Sequence, residues 1–312
     1  MPERVLVTGG AGFIGSFLVE RLHEEGFEVR VLDNFSSGSM RNLSRVQNFV
    51  EIVRGDVRNP RDLEEALRGV EAVFHFAANP EVRVGDPSEH FEHNIYATYL
   101  LLESMRRKNI REIVFASSST VYGDAAKLPT PEDYTLKPIS VYGASKLACE
   151  SLISSYAHTY GFKGVALRYA NVVGPRATRG VVRDFVLKLR SNPRELEILG
   201  DGTQTKSYIW IDDAVDATLT AWEGTSRGFE AYNVGSEDAI PVREVADIVV
   251  AVMGLKDVKY RFTGGVMGGR GWVGDVKHMH LDIAKLRSLG WRPKYTSREA
   301  VGKAAESLLK EL

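Results

Sequence analysis

The chain opens with a short apolar run, a glycine-rich turn and an amphipathic segment, and this order limits the folds open to it. Residues 4–8 read Arg-Val-Leu-Val-Thr, and Gly9, Gly12 and Gly15 follow at the spacing of a turn that leads into a helix. Glycine permits a tight turn and a close approach of backbone to a pyrophosphate, while the helix N-terminus attracts an anion. The segment therefore predicts the first strand, turn and helix of a dinucleotide-binding sheet.

Apolar runs and amphipathic stretches keep alternating through the first half of the chain. Near-continuously apolar strands between helices predict a Rossmann-type α/β fold, a doubly wound parallel sheet covered on both faces. Ligands of such sheets bind beyond the carboxyl ends of the strands. The predicted strands are residues 4–8, 28–32, 50–54, 72–76, 112–116 and 164–168, and the predicted helices are 13–25, 61–67, 88–108, 142–160, 181–189 and 212–222.

The rhythm changes after about Asn171, where loops lengthen and a glycine-dense stretch covers residues 264–274. We predict a dinucleotide-binding Rossmann domain over 1–170 and a smaller C-terminal α/β substrate domain over 171–312. A strand near 230–235 is expected to return to the first sheet, which would make the boundary discontinuous.

Composition excludes some partners. Lysine plus arginine (40) nearly equals aspartate plus glutamate (41) among 312 residues, so no global field indicates nucleic acid or an anionic membrane. No apolar stretch approaches the roughly 20 residues that span a bilayer, and no signal peptide is recognisable. The single cysteine, Cys149, cannot form an internal disulfide and fits a reducing compartment. We therefore expect a cytoplasmic protein.

Asp33 ends the second predicted strand, eighteen residues after Gly15. A carboxylate at this point can accept hydrogen bonds from both hydroxyls of an adenosine ribose and repels a 2′-phosphate, which favours NAD over NADP. The alternative is that Asp33 caps the turn of residues 33–38. Asp56 and Val57, at the end of the third strand, are expected to meet the adenine.

Tyr142 and Lys146 lie four residues apart on a predicted helix, so both side chains project from one face. An ammonium beside a phenol favours its ionised form, which makes Tyr142 a candidate base. The spacing also occurs by chance on many helices. Ser118, twenty-four residues upstream, and the glycine turn favour a functional interpretation of this spacing over a chance match. Together they predict hydride chemistry on a bound nicotinamide.

Histidine gives no metal signal. His75 is expected to be a packed strand residue, and His90 and His93 lie on a helix without nearby cysteine. The pair in residues 278–280 alternates across a predicted strand. We therefore expect no metal site.

These motifs resemble the extended short-chain dehydrogenase/reductase superfamily, and more closely its UDP-galactose (UDP-glucose) 4-epimerase branch. The resemblance covers nearly the whole chain, and its motifs stand in the family order. They are Thr8–Gly15, Leu32–Asn34, Gly55–Arg58, Phe76–Ala78, Ser117–Gly123 and Tyr142–Lys146.

The resemblance implies that Tyr142 is the base, that Ser118 is the catalytic hydroxyl, and that Lys146 also binds the nicotinamide ribose. With the residues argued above, it implies an NAD site. That site comprises Gly9, Gly12, Phe13, Ile14, Gly15, Asp33, Asn34, Phe35, Ser36, Ser37, Gly38, Asp56, Val57, Phe76, Ala77, Ala78, Asn79, Asn94, Tyr142 and Lys146.

The second half carries the resemblance to a nucleotide-sugar site. Asn171 matches an asparagine that contacts the sugar diphosphate, and Lys206 stands where the family usually has arginine, so the bidentate fork is lost. Arg270 and Asp275 resemble the ends of an R-P-G-D motif, although residues 271–273 replace its single proline. Asp275 would suit a uridine ribose. The alternative is that these are solvated charges on glycine turns.

By resemblance, the substrate is a UDP-hexose that also meets Ser118 and Tyr142, and the reaction interconverts UDP-galactose and UDP-glucose. Another UDP-sugar 4-epimerase, acting on UDP-N-acetylglucosamine or UDP-glucuronate, stays open; Met279 stands where residue size decides whether an N-acetyl group enters. A dehydratase or decarboxylase needs carboxylates where this chain has Ser119 and Thr120. A non-catalytic NAD-binding regulator is a further alternative.

Oligomeric state is suggested by two apolar stripes. The predicted helices 88–108 and 142–160 carry stripes that in the family pair across a dimer as a four-helix bundle, which implies a homodimer. The same stripes would serve the core of a monomer.

Overall fold

The computed structural model describes residues 4–83 and 85–312. No helix in these two ranges is long and apolar enough to cross a bilayer. The strands are β1 Arg4–Thr8, β2 Glu28–Asp33, β3 Glu51–Arg54, β4 Ala72–His75, β5 Glu112–Ser118, β6 Lys163–Tyr169, β7 Asn171–Val173, β8 Glu195–Ile198, β9 Thr205–Lys206, β10 Tyr208–Trp210, β11 Gly228–Val234, β12 Ile240–Pro241, β13 Lys259–Phe262 and β14 His278–Met279. The α-helices are α1 Phe13–Glu24, α2 Pro60–Ala66, α3 Pro87–His90, α4 Ala97–Arg107, α5 Val141–Tyr160, α6 Val181–Ser191, α7 Ile211–Gly224, α8 Val242–Val252, α9 Ala284–Ser288 and α10 Ser297–Glu311.

Seven parallel strands form the main sheet in the order β11-β6-β5-β4-β1-β2-β3. Because successive strand residues face opposite sides, Val5 and Val7 enter one apolar cluster and Leu6 enters the other. Helices cover both sides, so the predicted Rossmann-type α/β fold is confirmed. The strand β11 comes from the second half of the chain and pairs with β6 at the edge of this sheet.

Local signals fix the helix that carries Tyr142. Ser140 caps the N-terminus of α5 by accepting a hydrogen bond from the Gly143 N–H at 3.0 Å, and Gly161 ends the helix in the left-handed conformation at φ 70°. The predicted ends of most elements differ from the structure by at most two residues.

One predicted helix needs correction. Residues 88–108 do not form a uniform α-helix, because a π-helical segment, Phe91–Tyr96, separates α3 from α4. Asn94 lies in this segment, and its buried side chain bonds to groups outside the helix. Such segments often adjust a helix around a functional side chain.

The rest of the second half forms three small sheets with helices packed around them. β10 pairs with β7, β13 pairs with β8, and β9 lies between β12 and β14. The helices α6, α8 and α10 pack together beside them. This region faces the carboxyl ends of the main strands, with a cleft between the two.

Candidate active site

A cavity of about 830 Å³ lies between the carboxyl ends of the main strands and the C-terminal region. This volume is in the range of a ligand site. On the side of the main sheet, the cavity is lined by the glycine turn, the ends of β2, β4 and β5, and the start of α5. The predicted site residues that line the cavity are Gly9, Gly12, Phe13, Ile14, Gly15, Asp33, Asn34, Ser36, Ser37, Asp56, Val57, Phe76, Ala77, Ala78, Ser118, Tyr142, Lys146, Asn171, Lys206 and Asp275.

The glycine turn packs so closely against neighbouring backbone that no residue larger than glycine fits there. A ligand can therefore approach its backbone directly. A Cβ atom on Gly9, whose φ is +69°, would lie 2.6 Å from the Ala77 nitrogen, and one on Gly15 would lie 2.3 Å from the Gly9 oxygen. No side chain caps the N-terminus of α1, so its first N–H groups face the cavity without a side-chain acceptor. This cradle fits the pyrophosphate of a dinucleotide.

Asp33 is buried at the end of β2 and lines the cavity. Its carboxylate accepts hydrogen bonds from the Ala11 N–H at 2.9 Å and the Phe35 N–H at 2.8 Å. Burial raises its pKa, and these two N–H groups oppose that effect. Asp33 therefore does cap the turn, as the alternative interpretation held. Each carboxylate oxygen keeps a further lone pair for a ribose hydroxyl.

Asp56 is held at the next strand end. Its carboxylate accepts hydrogen bonds from the Arg58 guanidinium at 2.8 and 2.9 Å and from the Asn34 amide at 3.0 Å. These contacts, led by Arg58, hold the pKa of Asp56 well below its usual range. Asp56 is therefore ionised and fixed in position beside Val57.

Ser118, Tyr142 and Lys146 line the same cavity. The Ser118 hydroxyl oxygen, at the end of β5, accepts hydrogen bonds from the Thr120 N–H at 3.2 Å and the Thr120 hydroxyl at 2.9 Å. The Lys146 Nζ donates to the Ala116 carbonyl at 2.8 Å and lies 5.8 Å from the centre of the Tyr142 ring. The trio therefore occupies one site, although its members are distant in sequence.

Burial dominates the ionisation of Tyr142. Burial raises its pKa to about 12, and a hydrogen bond with Ser118 and the charge of Arg179 only partly oppose this. Burial also lowers the pKa of Lys146 to about 8. Desolvation of the phenolate is therefore the dominant effect on this pKa, and Lys146 is not among the groups that lower it. That Tyr142 ionises near neutrality, with help from the positive charge of a bound nicotinamide, stays a prediction.

Asn94 and Asn79 lie behind the cavity wall. The Asn94 side chain accepts from the Asn79 N–H at 2.7 Å, donates to the Asn79 carbonyl at 3.2 Å and donates to the Ser145 hydroxyl at 2.9 Å. It thus ties the loop after β4 to α5, next to Lys146. His75 is also internal: both ring nitrogens bond to threonine hydroxyls, and burial lowers its pKa to about 3.

The predicted cations of the substrate side have partners within the protein. The Lys206 Nζ pairs with the Asp275 carboxylate at 2.8 Å, and burial lowers its pKa. Arg270 makes two hydrogen bonds to Asp124, at 2.8 and 2.9 Å, and one to the Asp275 carbonyl at 2.7 Å. Five predicted site residues are absent from the described cavity lining, namely Phe35, Gly38, Asn79, Asn94 and Arg270.

Sequence reasoning missed a set of cavity residues, most of them cationic. They come from the loop after β4, from the segment entering α6 and α6 itself, and from the glycine-dense stretch. In the sequence the cations resemble ordinary surface charges. The one available signal is that residues 271–273 replace the single proline of the R-P-G-D motif. They are Arg83, Arg179, Arg183, Lys188 and Trp272. Across the described ranges, no three His, Cys, Asp or Glu side chains are grouped to hold a metal ion.

Comparisons with known proteins agree with this geometry. Residues 5–235 match the model of the NAD dependent epimerase/dehydratase family. A putative UDP-glucose 4-epimerase of Methanocaldococcus jannaschii is 36% identical, with 95% of each chain covered. A crystal structure of a UDP-galactose 4-epimerase has a TM-score of 0.88 at 48% identity, covering 99% of both chains. A UDP-N-acetylglucosamine 4-epimerase from Methanobrevibacter ruminantium has a TM-score of 0.87 at 31% identity, covering 99% of each.

Proposed function

The chain belongs to the NAD dependent epimerase/dehydratase family, and from this premise we propose that it interconverts UDP-galactose and UDP-glucose by reversible oxidation at sugar C4. The observation that carries the proposal is the meeting of Ser118, Tyr142 and Lys146 beside the glycine turn, opposite Lys206 and Asp275. The three candidate catalytic side chains thus line the same cavity as the two candidate binding walls, one for the dinucleotide and one for the nucleotide sugar. The trio also speaks against a non-catalytic regulator.

The glycine turn and Asp33 would hold NAD, with Asp56 and Val57 at the adenine and Lys146 at the nicotinamide ribose. Bound NAD would supply the acceptor and donor for the hydride of sugar C4, and its positive charge would favour the phenolate form of Tyr142. Asn79 and Asn94 would act as positioning residues, because their hydrogen bonds fix the cavity wall from behind.

Tyr142 would take the proton of the sugar 4-hydroxyl on its phenolic oxygen and give it back after the sugar has turned. Ser118 would donate to the same sugar oxygen and steady it while the proton moves. Because Ser118 and Tyr142 line the same cavity, both would act on this one sugar oxygen. No net oxidation results.

The UDP part would bind on the opposite wall, at Asn171, Lys206 and Asp275. Arg270 would act through Asp275, whose carbonyl it holds at 2.7 Å, and not by direct contact with the substrate. A hexose anchored mainly through its diphosphate is free to rotate and to receive the hydride on its other face. That rotation inverts C4.

Rival reactions have weaker support. Thr120 lines the cavity and donates to Ser118, and Ser119 is buried beside it, so these positions offer no carboxylate for elimination. Met279 is buried and lines the cavity, where a flexible side chain would admit an N-acetyl group with difficulty. We therefore rank UDP-galactose and UDP-glucose above their N-acetyl counterparts and UDP-glucuronate.

We also propose a homodimer. Four aromatic side chains are exposed on the helical segments from α3 to α5, namely Phe91, Tyr96, Tyr99 and Tyr160. The ring centres of Tyr96 and Tyr99 are 6.2 Å apart, and the two rings stack. Pairing of these faces would bury the aromatic rings. The cytoplasmic location stays a prediction.

Hydride return provides the test of the reaction. NAD-loaded protein, freed of unbound cofactor, is given UDP-galactose deuterated at C4, and the product is analysed by NMR and mass spectrometry. We expect UDP-glucose that keeps deuterium at C4, with no release of NADH. The Y142F variant, purified in the same way, gives the background from contaminating enzymes.

Two outcomes of this assay contradict the proposal: label at C6 with loss of water indicates a dehydratase, and label in free cofactor indicates a dehydrogenase. In a parallel assay with UDP-glucuronate, release of carbon dioxide would indicate a decarboxylase. Faster conversion of UDP-N-acetylglucosamine or UDP-glucuronate to its C4 epimer would overturn the substrate ranking alone.

Asp33 should set cofactor choice. We expect Asp33→Ala to lower the ratio of NAD to NADP affinity by about tenfold or more, because a charge-assisted hydrogen bond to the ribose and repulsion of the 2′-phosphate are both lost. Direct titration of NAD-free protein with each cofactor measures the ratio. Asp33→Asn is the matched variant, since its amide can still accept from the Ala11 or Phe35 N–H. Equal affinity of the wild type for both cofactors would contradict the role.

A further inference from the structure

Trp272 differs from the other tryptophans of the chain. The sequence has four, and the indole N–H groups of Trp210, Trp222 and Trp291 donate to Asp212, Glu112 and Asp213 at 2.7, 2.9 and 3.2 Å. The Trp272 indole N–H is buried and has no hydrogen-bond partner among the described residues, although its side chain lines the cavity. A buried donor without an acceptor is unfavourable in a folded protein.

The segment around Trp272 is held on both sides. Before it, Arg270 is fixed by two hydrogen bonds to Asp124, and the Gly271 N–H donates to the Asp275 carboxylate at 3.1 Å. After it, the Asp275 N–H donates to the Trp272 carbonyl at 3.1 Å, and Asp275 pairs with Lys206. The indole is therefore presented by an anchored loop, next to the wall proposed to bind the uridine diphosphate.

Arg83 packs on the indole from the other side of the cleft. Its guanidinium lies 5.5 Å from the Trp272 ring centre, and its side chain is 54% exposed. Its carboxylate partner, Asp184, is 3.9 Å away, whereas Lys206 and Arg270 have carboxylates at 2.8 Å. The charge of Arg83 is therefore less neutralised by protein carboxylates than the charge of Lys206 or Arg270, and it is more available to a ligand.

We propose that Trp272 and Arg83 form a clamp on the diphosphate of the bound nucleotide sugar. The Trp272 indole N–H donates to a phosphate oxygen, and the Arg83 guanidinium, stacked on the indole, supplies the positive charge. An N–H donor beside an arginine is a donor set for an anion. Arg83 thus supplies the positive charge that Arg270 cannot supply, because Arg270 is paired with Asp124. This inference rests on the proposed function, because it assigns the substrate phosphate contacts of that same site.

Binding of UDP to the NAD-loaded protein tests the clamp directly. We expect Trp272→Phe and Arg83→Gln each to raise the Kd for UDP and for UDP-glucose about tenfold, the usual effect of one charge-assisted hydrogen bond. Phenylalanine keeps a ring under Arg83, so the first variant reports the N–H itself. The turnover number should change by less than about threefold, because the interaction is equal in ground and transition states.

Val273→Ala is the matched control, because Val273 is in the same loop, is 53% exposed and is not among the cavity residues. The Kd of this variant should equal that of the wild type. Arg83→Gln should also weaken the salt dependence of UDP binding, since one phosphate contact is lost. The double variant should be less than additive if the two side chains act as one clamp.

An unchanged Kd for UDP in both single variants would overturn the clamp, as would weakening that appears equally for NAD. If Trp272→Phe fails to fold, Arg83→Gln decides alone, since it alters an exposed side chain. Calorimetry with UDP does not depend on turnover. A wild type that fails the hydride-return assay but shows these Kd changes would therefore refute the proposed reaction and leave the clamp standing.

Discussion

Tyr142→Phe should lower the turnover number by two to four orders of magnitude, the usual contribution of a positioned acid or base. The ring stays, so packing around α5 is preserved, but no phenolic oxygen remains to take the proton of the sugar 4-hydroxyl. NAD content and UDP affinity should stay within about threefold of the wild type, because the substitution removes one oxygen at the reacting end of the cavity.

Steady-state assays with UDP-galactose measure the effect, and the absorbance of bound cofactor measures NAD content. Tyr260→Phe is the matched control, because the Tyr260 hydroxyl on β13 donates to Asp247 at 2.7 Å and Tyr260 is not among the cavity residues. A Tyr142→Phe enzyme with turnover near that of the wild type would remove Tyr142 from the mechanism. Loss of NAD together with activity would instead indicate a mainly structural role.

The fold follows largely from local sequence signals. Strands of continuous apolar residues, the glycine turn after β1, and the Ser140 and Gly161 caps of α5 each act over a few residues, and so they are readable without tertiary contacts. The site trio follows for a related reason. Parallel strands bring their carboxyl ends together, so Ser118 at the end of β5 and Tyr142 at the start of α5 converge.

The ionic arrangement of the site could not be predicted in the same way. Arg270 is bound to Asp124, 146 positions away in sequence, and Lys206 to Asp275, 69 positions away, so a resemblance of motifs gives no sign of either pair. The pKa of Tyr142 likewise depends on burial by several elements and not on the spacing to Lys146. Both features have one origin, since long-range packing decides how much of the charge of a side chain is already neutralised within the protein.

A buried ion pair beside β5 should contribute strongly to stability. Arg168 and Glu150 are 5% and 3% exposed and pair at 2.8 Å, and the Ser117 hydroxyl also donates to Glu150. We expect Glu150→Ala to lower the free energy of unfolding by about 3–5 kcal/mol, because the Arg168 guanidinium is left buried and uncompensated. The melting temperature should fall by on the order of 10 °C.

Urea unfolding of samples matched in NAD content measures this change, since bound cofactor itself stabilises the native state. Glu195→Ala is the control for a surface pair: Arg261 lies 3.2 Å from Glu195, both are well exposed, and the expected loss is about 1 kcal/mol or less. Replacing both Glu150 and Arg168 by methionine should cost less than Glu150→Ala, because no charge is then left unpaired. A Glu150→Ala loss as small as that of Glu195→Ala would mean that water reaches Arg168 and that the pair does not anchor Ser117 or the neighbouring Ser118.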